Sequence, residues 1–316
     1  MTMGTILVTG ATGFAGGHLL DGLTDHAPVV AWYRPDGRPP DAGRHLDWRP
    51  VNLLDPAAVA DAVEEASPEA IYHVAGAPQI DTSWGNVVPH LRTNLFGTHH
   101  VLEAVKQLGN PCRVLVVSSA QVYQISDDPL DENAPLIPPN PYGVSKLAQD
   151  LLAMRAAQAE QLDVVVARPF NHAGPRQSSA FAVSSFARQI ARIEAGLEPP
   201  VITVGNLDTR RDMTDVRDVV EAYQLMMRDA PAGRAYNICS GRAWKIGDLL
   251  EELLHFARLQ ITITVDPRRM RPNDVPVVQG DASRIRAELG WEPKIPVEQT
   301  LSDTLEWWRS ETLAGR

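Results

Sequence analysis

The stretch "TILVTGATGFAGGHLLDGL" (residues 5–23) decides how the rest of the chain is read. It opens with an unbroken apolar run that suits a strand buried on both faces. Gly10, Gly13 and Gly16 follow at a spacing of three, and then a helical pattern begins. Glycines in such a turn let the backbone bend tightly and approach a pyrophosphate, while the helix start offers free N–H groups and the positive end of its dipole. Strand, glycine turn and helix in that order predict a dinucleotide site at the head of the chain.

Working outward, "VVAWYR", "AIYHVAG", "RVLVVSS" and "DVVVARP" repeat the buried-strand character. Between them "AAVADAVEEA" and "RTNLFGTHHVLEAVKQLG" carry helical spacing. This alternation predicts a doubly wound parallel α/β sheet, a Rossmann fold. Beyond Pro169 the pattern loosens into the loop "NHAGPRQSSA", a helix near residues 182–195, the short strand "PPVITVGN" and the buried strand "AYNICSG". The expected division is a dinucleotide-binding domain of residues 1–170 and 213–242. A smaller interleaved α/β domain of residues 171–212 and 243–316 would bind the substrate.

Composition narrows the class. The 316 residues are 44% hydrophobic and 22% charged, as expected of a soluble globular protein, and the net charge of -10 argues against nucleic acid as a partner. No run reaches the ~18 apolar residues of a membrane span. The first residues pass straight into a strand without a signal-peptide pattern, so a cytoplasmic location is expected. Cys112 and Cys239 read as buried thiols, and His73, His90, His99, His100 and His172 lack metal-ligand spacing, so no metal is expected.

The second strand selects the cofactor. It ends in Arg34 with no acid before Asp36. A guanidinium suits a ribose 2′-phosphate, so NADP(H) is expected, with NAD possible. In "PYGVSK", Tyr142 and Lys146 stand four residues apart on one helical face. The ammonium is expected to draw down the pKa of the phenol. Ser119, at a strand end, is placed to bond the same substrate oxygen.

Gly10, Gly13, Gly16, Ser119, Tyr142 and Lys146 together resemble the extended short-chain dehydrogenase/reductases over essentially the whole chain. The resemblance implies a catalytic Ser/Tyr/Lys set passing hydride between nicotinamide and a sugar carbon. It implies a cofactor groove that also includes Thr12, Phe14, Ala15, Asn52, Leu53, Val74, Ala75, Gly76, Pro169 and His172. "RPFNHAGPRQ" (168–177), "VGNLDTRRDMTDVRDVVEAY" (204–223) and "RMRPNDVPVVQGDASRIRAELGWEP" (269–293) are similar to the GDP-mannose dehydratase and GDP-4-keto-6-deoxy-mannose reductase branch. That likeness implies a GDP-linked sugar nucleotide bound by Ser83, Ser119, Gln121, Asn171, Arg211, Arg271 and Asp274. It also implies a homodimer through the Tyr142 helix and the helix near Leu95 to Lys106.

Gln121 separates two chemistries. The resembled dehydratases place a glutamate two residues after their serine or threonine, whereas glutamine cannot act as a general base. The expected reaction is therefore reduction of a C4 ketone, giving GDP-rhamnose, with a 4-epimerase, a dehydratase and a non-catalytic dinucleotide sensor as alternatives. Asp127, Asp128, Asp131 and Glu132 read as solvated loop charges. Val144, Leu147, Leu151 and Leu152 read as a core-packing stripe. Arg176 stands where related reductases tend to have a second glycine.

Overall fold

The structure, a computed structural model, describes residues 4–23, 27–39, 46–77, 87–270 and 275–315. The first half alternates β1 (Ile6–Thr9), α1 (Phe14–Leu23), β2 (Val29–Tyr33), β3 (Asp47–Pro50), α2 (Pro56–Ala66) and β4 (Ala70–His73). It continues through α3 (Val87–Leu91), a π-type turn at Arg92–Phe96, α4 (Gly97–Leu108), β5 (Arg113–Val117), α5 (Pro141–Glu160) and β6 (Val164–Pro169). After β7 (Asn171–Ala173) come α6 (Ala182–Glu194), β8 (Val201–Val204), β9 (Arg210–Asp215), α7 (Val216–Asp229) and β10 (Ala235–Ile238). The chain closes with β11 (Ala243–Lys245), α8 (Ile246–His255), β12 (Thr262–Val265), β13 (Val277–Val278), α9 (Ser283–Leu289) and α10 (Val297–Ala314).

Seven strands form one parallel sheet in the order β10-β6-β5-β4-β1-β2-β3. All six residues of β6 are buried, and β5 is buried along four of its five. That is why the sequence shows them as continuous apolar runs: helices cover both faces. One core lies against α1 and α7 (Leu19, Leu20, Val219, Tyr223, Met226), the other against α2, α4 and α5 (Val59, Val63, Val101, Ala153). The strand order reverses between β1 and β4, which opens a crevice at their carboxyl ends.

A third core gathers α6, α8 and α10 through Phe186, Ile190, Leu249, Leu250, Leu301 and Leu305. Beside it stand a sheet of β11, β9 and β13 with β7 paired to β9, and the two-stranded pair β12-β8. β3 is a strand that the apolar-run criterion overlooks, since Asp47 and Pro50 are exposed and no residue of it is fully buried.

The expected core stripe on the tyrosine helix holds for Leu147 and Leu152, which are partly buried against the two cores, and is corrected for Val144 and Leu151. Val144 is 46% exposed and Leu151 53%, whereas Gly143, Ser145, Lys146, Gln149, Asp150, Ala153 and Ala156 are buried. The sheet receives the polar and small face of α5 because that face carries its hydrogen-bonding groups.

Candidate active site

Gly10 adopts φ +69°, and a side chain there would come within 2.7 Å of the Ala75 backbone. A Cβ on Gly13 would stand 3.0 Å from the Gly10 carbonyl, and one on Gly16 would run into it. Three glycines thus keep a narrow backbone cradle at the start of α1, with Thr12 and Gly13 exposed and Phe14 and Ala15 half-buried. Bare N–H groups at a helix start, with no side chain in the way, fit the pyrophosphate of a dinucleotide.

The His172 ring stacks on Phe14, centroids 5.7 Å apart and nearly parallel, and its Nδ1 donates to the Phe170 carbonyl (3.0 Å). Burial lowers its pKa, so the ring sits neutral beside the glycine turn. Pro169 is buried and Asn171 exposed on the same crossing. Val74, Ala75 and Gly76 continue β4 along the groove wall, while Asn52 and Leu53 follow β3. The side chain of Arg34 is 85% exposed, with Asp36 3.7 Å from its Nε, so it projects from the end of β2 into solvent.

The catalytic candidates converge from two elements. Ser119 follows β5 and its Oγ accepts from the Gln121 N–H (3.2 Å). Tyr142 occupies the first turn of α5, which Asn140 caps by accepting from the Gly143 N–H (2.8 Å), with Pro141 leading the helix. Gln121 Oε1 in turn accepts from Asn140 Nδ2 (2.8 Å). Gln121 therefore braces the cap of the helix that carries Tyr142, a role the sequence does not disclose.

Burial pushes the Tyr142 phenol up to about 12, and a hydrogen bond with Ser119 opposes that rise. Burial drives Lys146 down to about 7, with Asp150 pulling the other way. The expectation that Lys146 holds the phenol low is thus corrected. The Lys146 ammonium donates to Val117 O (2.8 Å) and Gln149 Oε1 (2.9 Å), and burial dominates at the tyrosine. A phenol that stays protonated at neutral pH is a proton donor.

Gly76 matters here for its lack of a side chain. A Cβ would lie 3.1 Å from Lys146 Nζ and 3.0 Å from Asn94 Oδ1. Asn94 accepts from the Ala77 N–H (2.8 Å) and donates to Ser145 Oγ (2.8 Å), whose hydrogen goes to Tyr142 O (2.7 Å). Asn94 is a site residue that sequence reasoning passed over. Its only signal was a polar residue inside an otherwise helical run, and that run proves to be the π-type turn.

Arg211 is half-buried, its Nη1 donating to the carbonyls of Arg210 (2.8 Å) and Val275 (2.7 Å). Ser83, Arg271 and Asp274 lie outside the described residues. Asp127 and Asp128 are exposed as expected, but Glu132 is not. Its side chain is nearly buried, accepts from the Asn237 N–H (2.8 Å) and faces Arg284 at 3.4 Å, and burial raises its pKa. Arg176 takes a left-handed φ of 73° and pairs with Asp21 on α1 at 2.5 Å.

Among known proteins, the family model described as GDP-mannose 4,6 dehydratase matches residues 7–304. The chain is 37% identical to the GDP-6-deoxy-D-mannose reductase of Pseudomonas aeruginosa, over 96% of this chain and 97% of that one. The solved structure of RMD from Pseudomonas aeruginosa complexed with NADPH superposes with a TM-score of 0.86 at 35% identity, covering 98% of this chain and 100% of that one. The UDP-glucose 4-epimerase of Thermus thermophilus in complex with NAD gives 0.85 at 25% identity, covering 96% and 99%.

Proposed function

Because this chain belongs to the GDP-mannose 4,6-dehydratase family, we propose that it is an NADPH-dependent oxidoreductase that reduces the C4 ketone of GDP-4-keto-6-deoxy-mannose to GDP-rhamnose. The observation that carries this reading is the chemistry at the end of β5. A protonated phenol stands there with a serine, and Gln121, neutral and bonded to Asn140, occupies the place where a dehydratase would need an acid.

NADPH, when bound, supplies the hydride to C4. The glycine cradle and the start of α1 hold the pyrophosphate. Lys146, beside Gly76, takes the nicotinamide ribose. Ser119 donates a hydrogen bond to the C4 oxygen and fixes its direction. Tyr142 transfers its proton to that oxygen as negative charge develops on it, and Lys146 stabilises the phenolate left behind. The buried site keeps water from competing for the oxygen.

Arg34, whose exposed side chain has Asp36 3.7 Å from its Nε, is assigned to the 2′-phosphate that distinguishes NADPH from NADH. Asn171, Arg211 and Gln121 are assigned to the sugar nucleotide together with Ser83, Arg271 and Asp274. The unit of residues 171–212 and 243–316 is read as the substrate side of the cleft, and residues 1–170 and 213–242 as the cofactor side. The exposed apolar residues Val88 on α3, Phe96 at the end of the π-type turn before α4, and Val144 and Leu151 on α5 support a homodimer packed through α5 and the segment that leads into α4. Among the described residues no helix is long and apolar enough to cross a membrane, and we place the protein in the cytoplasm.

The test is incubation with NADPH or NADH and 4-keto-6-deoxy sugar nucleotides carrying guanine, uracil or thymine, with products identified by NMR. NADPH oxidation coupled to a 4-hydroxy product from the guanine substrate is expected. Tightly retained NAD with interconversion of C4 epimers would replace this reading with an epimerase.

A further inference from the structure

Behind the catalytic lysine runs a chain of buried polar groups that the reaction does not itself require. Thr9, His73, Thr98 and Gln149 are at most 1% exposed. Gln149 Nε2 donates to Thr98 Oγ1 (2.7 Å), and the Thr98 hydrogen goes to Asn94 O (2.6 Å). With that hydrogen committed, the 2.9 Å contact from His73 Nε2 to Thr98 Oγ1 has the imidazole as donor. His73 Nδ1 then accepts from Thr9 Oγ1 (2.8 Å), and Thr9 Oγ1 accepts from the Ala75 N–H (3.2 Å). Burial holds the His73 pKa down at about 3, which agrees with a neutral ring that donates from one nitrogen and accepts at the other.

The direction of every bond in the chain is thereby fixed. It leaves Gln149 only one orientation, with Nε2 toward Thr98 and Oε1 toward Lys146. The ammonium has three hydrogens, of which Val117 O and Gln149 Oε1 take two. The third has no partner among the described residues, and the bare Cα of Gly76 lies beside it.

We propose that Gln149 is a positioning residue for Lys146: its amide oxygen, locked by Thr98, His73 and Thr9, pins the ammonium against Val117 O and aims the remaining N–H past Gly76 into the groove. This rests on Lys146 serving the NADPH site proposed above. The far end of the chain of bonds meets the N–H of Ala75, whose backbone also closes on Gly10, so the glycine cradle and the lysine share one support. The charged or titratable groups around Lys146 are Asp150 and Tyr142 on its own helix, His73 on β4, and Arg168 on β6 behind Asp150. α4 and the π-type turn present the neutral Thr98 and Asn94.

The experiment compares the full-length protein with Gln149→Glu and Gln149→Leu. In the pH profile of kcat/KM for NADPH, the high-pH limb reports loss of the lysine proton. A carboxylate beside the ammonium is expected to move that limb up by about one pH unit or more. Leucine, which removes the acceptor, is expected to move it down and to lower kcat/KM about tenfold or more. A limb at the same pH in all three proteins overturns the proposal, because a structural role alone changes the height of the profile and not its position.

A second readout uses the protein with no cofactor or substrate added. The folded pKa of Lys146 lies below its ordinary value, so between pH 7 and about 10 the unfolded chain binds the extra proton and stability rises with pH. Glutamate at 149 is expected to flatten that rise in melting temperature, and an unchanged slope again overturns the proposal. If the slope flattens while even the wild-type protein turns over no keto-sugar, the inference stands and the substrate assignment falls. Gln149→Glu keeps the size and shape of the side chain and loses only the donor to Thr98, whose hydroxyl can turn its own hydrogen to the carboxylate, so it carries the test if the leucine variant does not fold.

Discussion

α5 and α6 are both long helices packed into the molecule, yet they bury opposite kinds of face. α6 turns Val183, Phe186, Ala187, Ile190 and Ala191 inward, into one core with Leu301 and Leu305 of α10. α5 turns Ser145, Lys146, Gln149 and Asp150 inward and leaves Val144 and Leu151 to solvent. On α6, burial of apolar area supplies the stability directly. On α5, every buried polar group needs a partner, and the sheet provides them. Arg168 forms a two-pronged pair with Asp150 (2.8 and 2.9 Å) and also donates to Tyr123 OH (3.0 Å), which donates to Asn237 (2.7 Å). A helix that buries its polar side is a helix that holds chemistry in register, and its stability depends on completeness more than on area.

The largest expected effect tests the functional half of that contrast. Tyr142→Phe should lower turnover of the keto-sugar by ~10²–10⁴-fold, while NADPH affinity measured by nicotinamide fluorescence stays within a few-fold. Full activity in that variant would remove the Tyr142 phenol from the chemistry.

Next comes the buried pair. Arg168→Met leaves the buried Asp150 without its two-pronged partner and should cost ~3–5 kcal/mol in urea unfolding. The matching change on α6, Ile190→Val, should cost ~0.5–1.5 kcal/mol and leave kcat untouched. If the valine variant proved the less stable of the two, the contrast would be reversed. Smallest of all for the protomer is Leu151→Gln, expected to change its stability by less than ~0.5 kcal/mol. Light scattering should nonetheless show a lower mass if a second copy covers this face, and an unchanged mass would leave the exposed stripe on α5 unaccounted for.

Much of the fold could be read from local pattern, because β1, β2, β4, β5, β6 and β10 are fully or nearly buried and announce themselves as apolar runs. β3 could not, since an edge strand with exposed Asp47 and Pro50 lacks that signature. The glycine turn, Ser119, Tyr142 and Lys146 are legible because their spacing within a few residues carries the geometry. The Thr9–His73–Thr98–Gln149 chain is not, for its neighbours in space are 25 to 64 residues apart in sequence. Glu132 misled for the same reason: nothing in "DDPLDENAP" reveals that Asn237 and Arg284 wait for it. Val144 and Leu151 on α5 misled by analogy with ordinary amphipathic helices, where the apolar side goes in, whereas Leu147 and Leu152 do pack inward.

The position of β10 at one end of the sheet bears on how the molecule is made. β6 acquires that neighbour only through a four-residue register that runs from Val166 opposite Ala235 to Pro169 opposite Ile238, across a detour of more than sixty residues. During synthesis the ribosome delivers β6 long before the strand that covers it, and a wholly buried border stays bare meanwhile. A nascent chain halted between residues 170 and 234 would expose that border to its neighbours, so premature termination in this interval favours aggregation over a truncated but working enzyme.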